Sequence, residues 1–461
     1  MDDLKKVFRN KKVLILGLGL HGGGVGAASF FAKAGAKVLV ADLKSRKELA
    51  SSLAALRRYE SISYVLGRHR RKDIVAADLI IKNPGVPDNS PWLVLARVNK
   101  IPVASDIEFF FSYCPAKIIG VTGTKGKSTT ASLLAEFLRA GTKKRVWLAG
   151  NIRKSVFEIL PQIRSDDHVV LELSSFQLDS LANSRMSPHI AVITNIFPDH
   201  LNRYKSFKHY AGSKMNIFRY QKKKDLIFIP RGDVFLEKIT RGAVSRRVPV
   251  DVEKALRPYS SIIGKRFFSH QIPSVALAVA VSRRFGVSEL IIRKVLGRFR
   301  QLPGRLERVR VLSGVTFVND TTATNPGSAT AALRVLRERN GGGIVLIAGG
   351  SDKKLPVKDF AIAICKFAKA VVFLPGEATQ KMNLEIRNPV YAKATAGKQK
   401  SKIIVREAKT MKEAVAKAYA LAEKRDTVLL SPGAASFGLF RNEFDRGDQF
   451  VKAVMRLAPK K

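Results

Sequence analysis

A chain of 461 residues with 46% hydrophobic residues carries enough apolar material for about three packed domains at roughly 150 residues each, which excludes a disordered or fibrous class. Two cysteines, Cys114 and Cys365, exclude a disulfide framework or a cysteine-built metal cluster and fit a reducing cytoplasm. The net charge of +45 fits either a nucleic-acid binder or an enzyme whose field steers anionic substrates.

The basic residues decide between those two. They are scattered (KKK at 222–224, RR at 246–247, KQKSK at 398–402), without interleaved aromatics or a recognisable nucleic-acid module. Steering is the expectation, with no dedicated nucleic-acid partner. No apolar run approaches the roughly 18 residues that span a bilayer, and MDDLKKVFRNKK leads straight into a strand without a signal-peptide core. A soluble, cytoplasmic chain with no membrane partner is expected.

Val13 to Leu16 predicts a short strand. GLGLHGGG follows, then a helix-like ASFFAKAGA and a second strand, KVLVAD, ending at Asp42. Gly17, Gly19 and Gly22 fit G-x-G-x-x-G, and Asp42 stands where a ribose-reading carboxylate belongs. The pattern predicts a Rossmann-like βαβ unit holding a nucleotide diphosphate at a helix N-terminus. By itself it fits NAD equally well. DLIIKNPGV is a further strand running into the turn Asn83-Pro84-Gly85, and a helix and a short strand at IPVAS come next.

Lys117 to Thr130, KIIGVTGTKGKSTT, reads as strand, glycine loop and helix. Gly123 and Gly126 let successive backbone N–H groups turn onto phosphate oxygens, and the helix through ASLLAEFLRA adds its positive end. Lys127 is placed to reach the outer phosphates, and the Ser128 hydroxyl to bind Mg²⁺. Gly123, Thr124, Lys125, Gly126, Lys127, Ser128 and Thr129 are the expected ATP contacts. The loop differs from the strict G-x-x-x-x-G-K-[ST] pattern at Val121.

VWLAGNI, DHVVLELSSFQLD and HIAVITNIFPDHLNRY are three apolar strands that stop at Asn151, at Glu172 and at Asn195 to His200. Buried parallel strands ending in polar loops put such side chains on one rim, beside the phosphate loop. Glu172, Ser128 and His200 are therefore expected as Mg²⁺ ligands. His200 is the least typical of them, because Mg²⁺ prefers oxygen. A basic, less regular stretch is expected from Gln221 to Lys265. Beyond Leu302, LPGRLERV precedes a hairpin-like VRVLSGVTFVND, and TTATNPGSATAALRVL reads as loop into helix. GIVLIAGGSDKK, AVVFLP and DTVLLSPGAASFGLF are strands ending in polar loops. The alternation predicts a third parallel, doubly wound layer.

GVTGTKGKSTT, AGNI, ELSSFQL, ITNIFPDHLNRY, NDTTATN and LLSPGAASFGLFRNEFDRG together resemble the Mur ligases of peptidoglycan synthesis, over nearly the whole chain in order. SSFQL with NDTTATNPGS points to the branch that adds D-glutamate. The resemblance implies an α/β fold of three domains: a Rossmann-like UDP-sugar domain (1–106), a central P-loop-type ATPase domain (107–302) and a Rossmann-like C-terminal domain for the amino acid (303–461). It implies addition of D-glutamate to UDP-N-acetylmuramoyl-L-alanine through an acyl phosphate, with ATP and two Mg²⁺ ions, by a monomer.

On that resemblance the first glycine loop is a uridine-diphosphate cradle. Leu20, His21 and Asp42 match its contacts, with Asn83, Gly85 and Asn151 toward the sugar. Lys127, His200, Lys214 and Arg305 match catalytic positions, Lys214 as a carbamate that binds metal. Gln271, Ser274, Arg305 and Asp320 match nucleotide contacts. Thr324, Lys353, Ser436 and Phe444 match positions around the D-glutamate carboxylates. Three places depart from the family pattern: Gly304 replaces a histidine, Thr322 a lysine, and Gln271 and Ser274 two asparagines that help hold adenine. Two competing readings remain. A folylpolyglutamate synthetase-like ligase would share the fold but lack the UDP cradle. A nucleic-acid-binding ATPase would explain the charge but not two phosphate loops.

Overall fold

The apolar runs become the inner strands of three sheets in the computed structural model, which describes residues 2–20, 22–152, 155–201, 203–339, 341–387, 403–436 and 438–460. The chain divides into two compact units. Met1–Phe197, Lys208–Phe267 and Gln271–Arg298 form one; Pro198–Phe207, Phe268–His270 and Phe299–Lys461 form the other.

The first unit holds two all-parallel sheets. One is built from β1 (Lys12–Leu16), β2 (Lys37–Asp42), β3 (Ile62–Leu66), β4 (Leu79–Lys82) and β5 (Val103–Ser105), in the order β3-β2-β1-β4-β5. Ile15 sits between Val40 and Ile81 in register. The order reverses beside β1, so the loops leaving β1 and β4 flank the switch point where open α/β sheets bind ligands. The second sheet has β6 (Lys117–Thr122), β7 (Val146–Gly150), β8 (His168–Glu172), β9 (Ile190–Ile193), β10 (Leu226–Pro230) and β11 (Arg246–Val250), in the order β11-β10-β9-β6-β8-β7. β6, β8 and β9 are adjacent, so their C-terminal residues share one rim.

An aromatic seam joins these two sheets. Phe8 and Phe31 have ring centroids 5.1 Å apart, Phe31 and Phe109 5.1 Å, and Phe30 and Phe157 5.0 Å. Gly26 is the closest approach there: a Cβ would lie 2.4 Å from Ser155 Oγ. Helix starts are capped locally. In SSFQL, the Ser174 hydroxyl accepts from the Gln177 amide while the Gln177 side chain accepts from the Ser174 amide, opening the helix Ser175–Asn183 with a capping box.

The stretch expected to be less regular, Gln221 to Lys265, instead carries β10, the helix Val234–Ile239, β11 and the helices Val252–Leu256 and Ser260–Arg266. Its strands are short and framed by Lys222–Lys224 and Arg246–Arg247. β11 is an edge strand, where Pro249 removes no needed ladder bond. Two further strands escaped the sequence reading, β3 and, in the second unit, β16 (Ile404–Glu407). Both are edge strands with exposed positions that dilute the apolar signal.

The second unit's sheet adds β12 (Glu307–Leu312), β13 (Val315–Asn319), β14 (Ile344–Ala348), β15 (Ala370–Phe373) and β17 (Thr427–Leu430), in the order β12-β13-β17-β14-β15-β16. β12 and β13 form the expected antiparallel hairpin, and the other pairs are parallel. Alternate residues serve opposite faces. Leu346, Val371 and Leu429 pack with Phe360 and Met382 on one side, and Val345, Ile347 and Val428 with Val415 and Phe450 on the other. Helices cover both faces, which is why these strands read as unbroken apolar runs.

Candidate active site

In the first cradle, Gly17, Gly19 and Gly22 all have positive φ, at +89°, +63° and +85°. The Asp42 carboxylate is buried and accepts from the Leu18 amide at 2.8 Å, the Gly19 amide at 3.0 Å and the Lys44 amide at 2.8 Å. Asp42 thus shapes the loop before it meets any ligand. Asn83 closes the other wall. Its Oδ1 accepts from the Gly85 amide at 2.9 Å, and a Cβ on Gly17 would lie 2.9 Å from Asn83 Cβ. Leu20 is half-buried on the same loop. His21 lies outside the described residues.

The second cradle follows β6, whose Val121 is fully buried, so the residue that breaks the strict phosphate-loop pattern serves the strand. Gly126 caps the helix Lys127–Gly141 with φ +83°, and a Cβ there would lie 2.1 Å from Ser274 Oγ. Ser274 therefore packs on the loop, and its carbonyl accepts from the Thr130 hydroxyl at 3.2 Å. Gln271 is buried at the start of the helix Ile272–Arg284. The Lys125 amide donates to Asn195 Oδ1 at 2.9 Å, and Thr124 Oγ1 accepts from the Phe197 amide at 2.9 Å, which ties the loop to the end of β9. Thr129 is buried behind it.

Charged and oxygen-bearing groups gather here as the strand ends required. Lys127 Nζ lies 3.0 Å from Gly123 O and 3.2 Å from Thr124 O. Ser128 Oγ donates to Glu172 Oε2 in a short hydrogen bond, and Asn151 Nδ2 donates to Glu172 Oε1 at 3.1 Å. Lys214 is no surface lysine. It is 2% exposed, with Nζ 2.9 Å from Gly123 O and 5.0 Å from the Tyr210 ring centroid. Ser128, Glu172 and Lys214 are thus brought to one loop. Among the described residues, no three His, Cys, Asp or Glu side chains gather as a ready-made metal cluster.

In the second unit, the loops after β13, β14 and β17 converge. Ser351 and Ala435 exchange backbone hydrogen bonds at 3.0 and 3.1 Å, and the Gly433 amide donates to Ala323 O at 2.9 Å. Lys353 Nζ donates to Thr324 Oγ1 at 3.1 Å, joining two residues singled out from sequence. Ser436 is buried on the third loop. Phe444 is half-buried in the helix Glu443–Met455. Asp320 accepts from the Leu306 amide at 3.2 Å and the Ser431 hydroxyl at 2.9 Å, so it pins the turn that carries Arg305.

Sequence reasoning missed three residues of this unit. Asp199 and Asn325 meet at 2.9 Å, and His200 follows Asp199 in a turn with φ +55°. Arg446 is fully buried, donating to Thr321 O at 2.8 Å, Thr321 Oγ1 at 3.1 Å and Ala434 O at 3.1 Å. Burial pushes its guanidinium down to about 10, against the pull of Glu443 and Asp320. The polar step F-P-D-H after an apolar strand was the available signal for Asp199. Arg446 had none.

Comparison with known proteins follows the three sheets. The Mur ligase MurD-like N-terminal domain matches residues 11–105, the Mur ligase middle domain 121–258, and the Mur ligase glutamate ligase domain 304–433. A relative from Roseiflexus sp. (strain RS-1), named UDP-N-acetylmuramoylalanine–D-glutamate ligase, is 39% identical over 96% of this chain and 98% of its own length. One of the same name from Borreliella afzelii (strain PKo) is 36% identical over 98% of this chain and 99% of its own. Among solved structures, the UDP-N-acetylmuramate–alanine ligase MurC from Thermotoga maritima shares the fold, with a TM-score of 0.62, 18% identity and coverage of 97% of this chain and 99% of that one. The MurF ligase from Thermotoga maritima in complex with ADP does so with a TM-score of 0.58, 17% identity and coverage of 99% and 100%.

Proposed function

The chain belongs to the Mur ligase family, and from that premise we propose that it adds D-glutamate to UDP-N-acetylmuramoyl-L-alanine, using ATP, in the cytoplasmic assembly of peptidoglycan precursors. It is an ATP-dependent carbon–nitrogen ligase. The D-glutamate reading is carried by the near full-length likeness to relatives of that name, 39% identical in the first case. Among the described residues no helix is long and apolar enough to cross a membrane.

In this reading the domains divide at 106/107 and 302/303, and the chain acts as a monomer. The substrate carboxylate attacks the γ-phosphorus of ATP; ADP leaves and an acyl phosphate forms. The D-glutamate amine then attacks the acyl carbon, and phosphate leaves from a tetrahedral adduct. Both partners of the first step are anions, so the protein's main task is to neutralise charge. Lys127 supplies a cation at the phosphate loop and Arg305 a second, while the backbone from Gly123 to Thr129 supplies N–H donors. Gln271, Ser274 and Asp320 hold the rest of the nucleotide.

Ser128 and Glu172 form an oxygen-donor pair of the type Mg²⁺ takes alongside phosphate and water. With His200 and the carbamate of Lys214 they would hold two Mg²⁺ ions. Bound there, Mg²⁺ supplies Lewis-acid polarisation of phosphoryl oxygens. Leu20, His21, Asp42, Asn83, Gly85 and Asn151 take the UDP-sugar. Thr324, Lys353, Ser436 and Phe444 take D-glutamate, Lys353 as the cation for a carboxylate.

A phosphate-release assay with UDP-N-acetylmuramoyl-L-alanine and several amino acids in turn tests the assignment. Release is expected with D-glutamate and only when the UDP-sugar is present. Equal turnover with L-alanine, or turnover without the UDP-sugar, overturns it.

A further inference from the structure

Asp199 is 4% exposed and is engaged from three directions. Its Oδ1 accepts from the His200 amide at 2.9 Å, and its Oδ2 accepts from Asn325 Nδ2 at 2.9 Å. The Lys353 ammonium lies 3.9 Å from Oδ1 and donates to Thr324 Oγ1 at 3.1 Å. Asn325 is itself fixed, because its Oδ1 accepts from the Ser328 amide at 2.9 Å and the Ser328 hydroxyl at 2.8 Å. A carboxylate this buried is costly unless its hydrogen bonds and its charge are both answered. Here that answer includes the turn that carries His200 and the loops that carry Thr324 and Lys353.

We propose that Asp199 is a positioning residue that assembles the amino-acid site, by locking the Asn325 amide and the Lys353 ammonium to the His200 turn. This rests on the reading of Thr324 and Lys353 as the residues that receive D-glutamate. Asp199 fixes Lys353 from behind, so that the ammonium meets the incoming carboxylate with few orientations left to lose. The same oxygen that faces Lys353 accepts from the His200 backbone and holds a non-glycine residue in its left-handed conformation. Amino-acid capture and the geometry of the His200 turn are therefore one event.

The hydrogen-bond pattern permits a swap. When Asp199→Asn is combined with Asn325→Asp, the amide introduced at position 199 keeps an oxygen for the His200 amide and donates to the carboxylate introduced at position 325. The other oxygen of that carboxylate still serves Ser328. Each single change breaks the pair: Asp199→Asn sets two amides against each other, and Asn325→Asp sets two buried carboxylates together.

The test is steady-state kinetics of the full-length wild type, both single variants and the double variant, with ATP and UDP-N-acetylmuramoyl-L-alanine. Each single variant is expected to lose roughly 5- to 100-fold in kcat/KM for D-glutamate, with KM for ATP changed by less than about twofold. The double variant is expected to regain about tenfold or more of the loss. Unchanged kcat/KM for D-glutamate in both singles, losses that simply multiply in the double, or an equal rise in KM for ATP overturns the proposal. If Asn325→Asp does not fold, the near-isosteric Asp199→Asn still decides through the split between D-glutamate and ATP. A wild type without D-glutamate-dependent phosphate release overturns the underlying reading, and the proposal with it. Release in the wild type with unaffected variants overturns the proposal alone.

Discussion

The Thr322 hydroxyl and the Thr322 amide both donate to the Gly304 carbonyl, at 3.0 and 3.1 Å. Two of the positions where this chain leaves the family pattern are thus fitted to each other. Gly304 has φ +72°, and a Cβ there would lie 2.8 Å from Thr321 Cγ2. Restoring a histidine by Gly304→His is expected to cost about 2 kcal/mol or more, from the left-handed backbone and the clash together. Thr322→Val, which keeps the shape but removes the hydroxyl, should cost about 1 kcal/mol. Urea denaturation of both variants checks the order; a neutral Gly304→His would mean that the turn is free to reshape.

Lys127→Ala is expected to lower turnover by about 100-fold or more while leaving UDP-sugar binding intact. Lys127 acts at the loop after β6, and the proposed UDP contacts follow β1 and β4. Calorimetric titration of both ligands into the variant is the check. Equal loss of affinity for ATP and the UDP-sugar would contradict the separation of the two cradles.

Lys214 presents a choice of sign. Unmodified, it places a buried ammonium beside the phosphate loop; carbamylated, it places a metal-binding anion there. At about 4 Å and an effective dielectric of about 20, each such pair is worth about 4 kcal/mol, so the sign decides whether the second Mg²⁺ of the proposed mechanism could be held there. Lys214→Ala is expected to lose most activity and to regain part of it with added acetate. Near-wild-type turnover without any added carboxylate would defeat the carbamate reading.

Burial pushes the Asp106 carboxyl up to about 6, opposed by its bond from the Ile107 amide and by Lys82, and aided by Glu108. Its ordinary value is 3.8. Between those pH values the folded chain keeps a proton that the unfolded chain has released. This group's contribution to stability therefore falls as pH rises through that window. Asp106→Asn should be more stable than the parent above pH 7, by about 1–2 kcal/mol after allowing for partial exposure. The gap should close below about pH 4. Thermal unfolding of both proteins across that range tests it; a gap independent of pH would remove the titration from the explanation.

The sheets were legible because each inner strand is an unbroken apolar run that stops at a polar rim. Val13 to Leu16, Ile118 to Val121 and Ile344 to Ala348 are examples, and their rims hold Asp42, Ser128 and Lys353. Two edge strands hid, because ISYVL and IVRE expose several positions and alternate weakly, and the inner strand LIFIP hid between the basic runs 222–224 and 246–247. Within the candidate site, what is local in sequence was readable, including the glycine loops and the Ser174–Gln177 cap. What depends on closure over long separations was not. Asp199 meets Asn325 across 126 positions, and Arg446 meets Thr321 across 125. An arginine beside a helix start reads as surface until the loop that buries it is in place.

The aromatic seam of Phe8, Phe30, Phe31, Phe109 and Phe157 bears on how this protein can be recombined with its relatives. A cut after Ser105 separates Phe8, Phe30 and Phe31 from Phe109 and Phe157, leaving three large rings without their lid. Each truncation of such a ring to alanine costs about 3–5 kcal/mol in a packed core, so losing the whole seam exceeds the stability of most single domains. A chimaera that exchanges the sheet of β1 to β5 must therefore carry the helix Asp106–Tyr113 and the short helix Val156–Ile159 along with it. Shuffling points chosen from strand boundaries alone would yield insoluble hybrids.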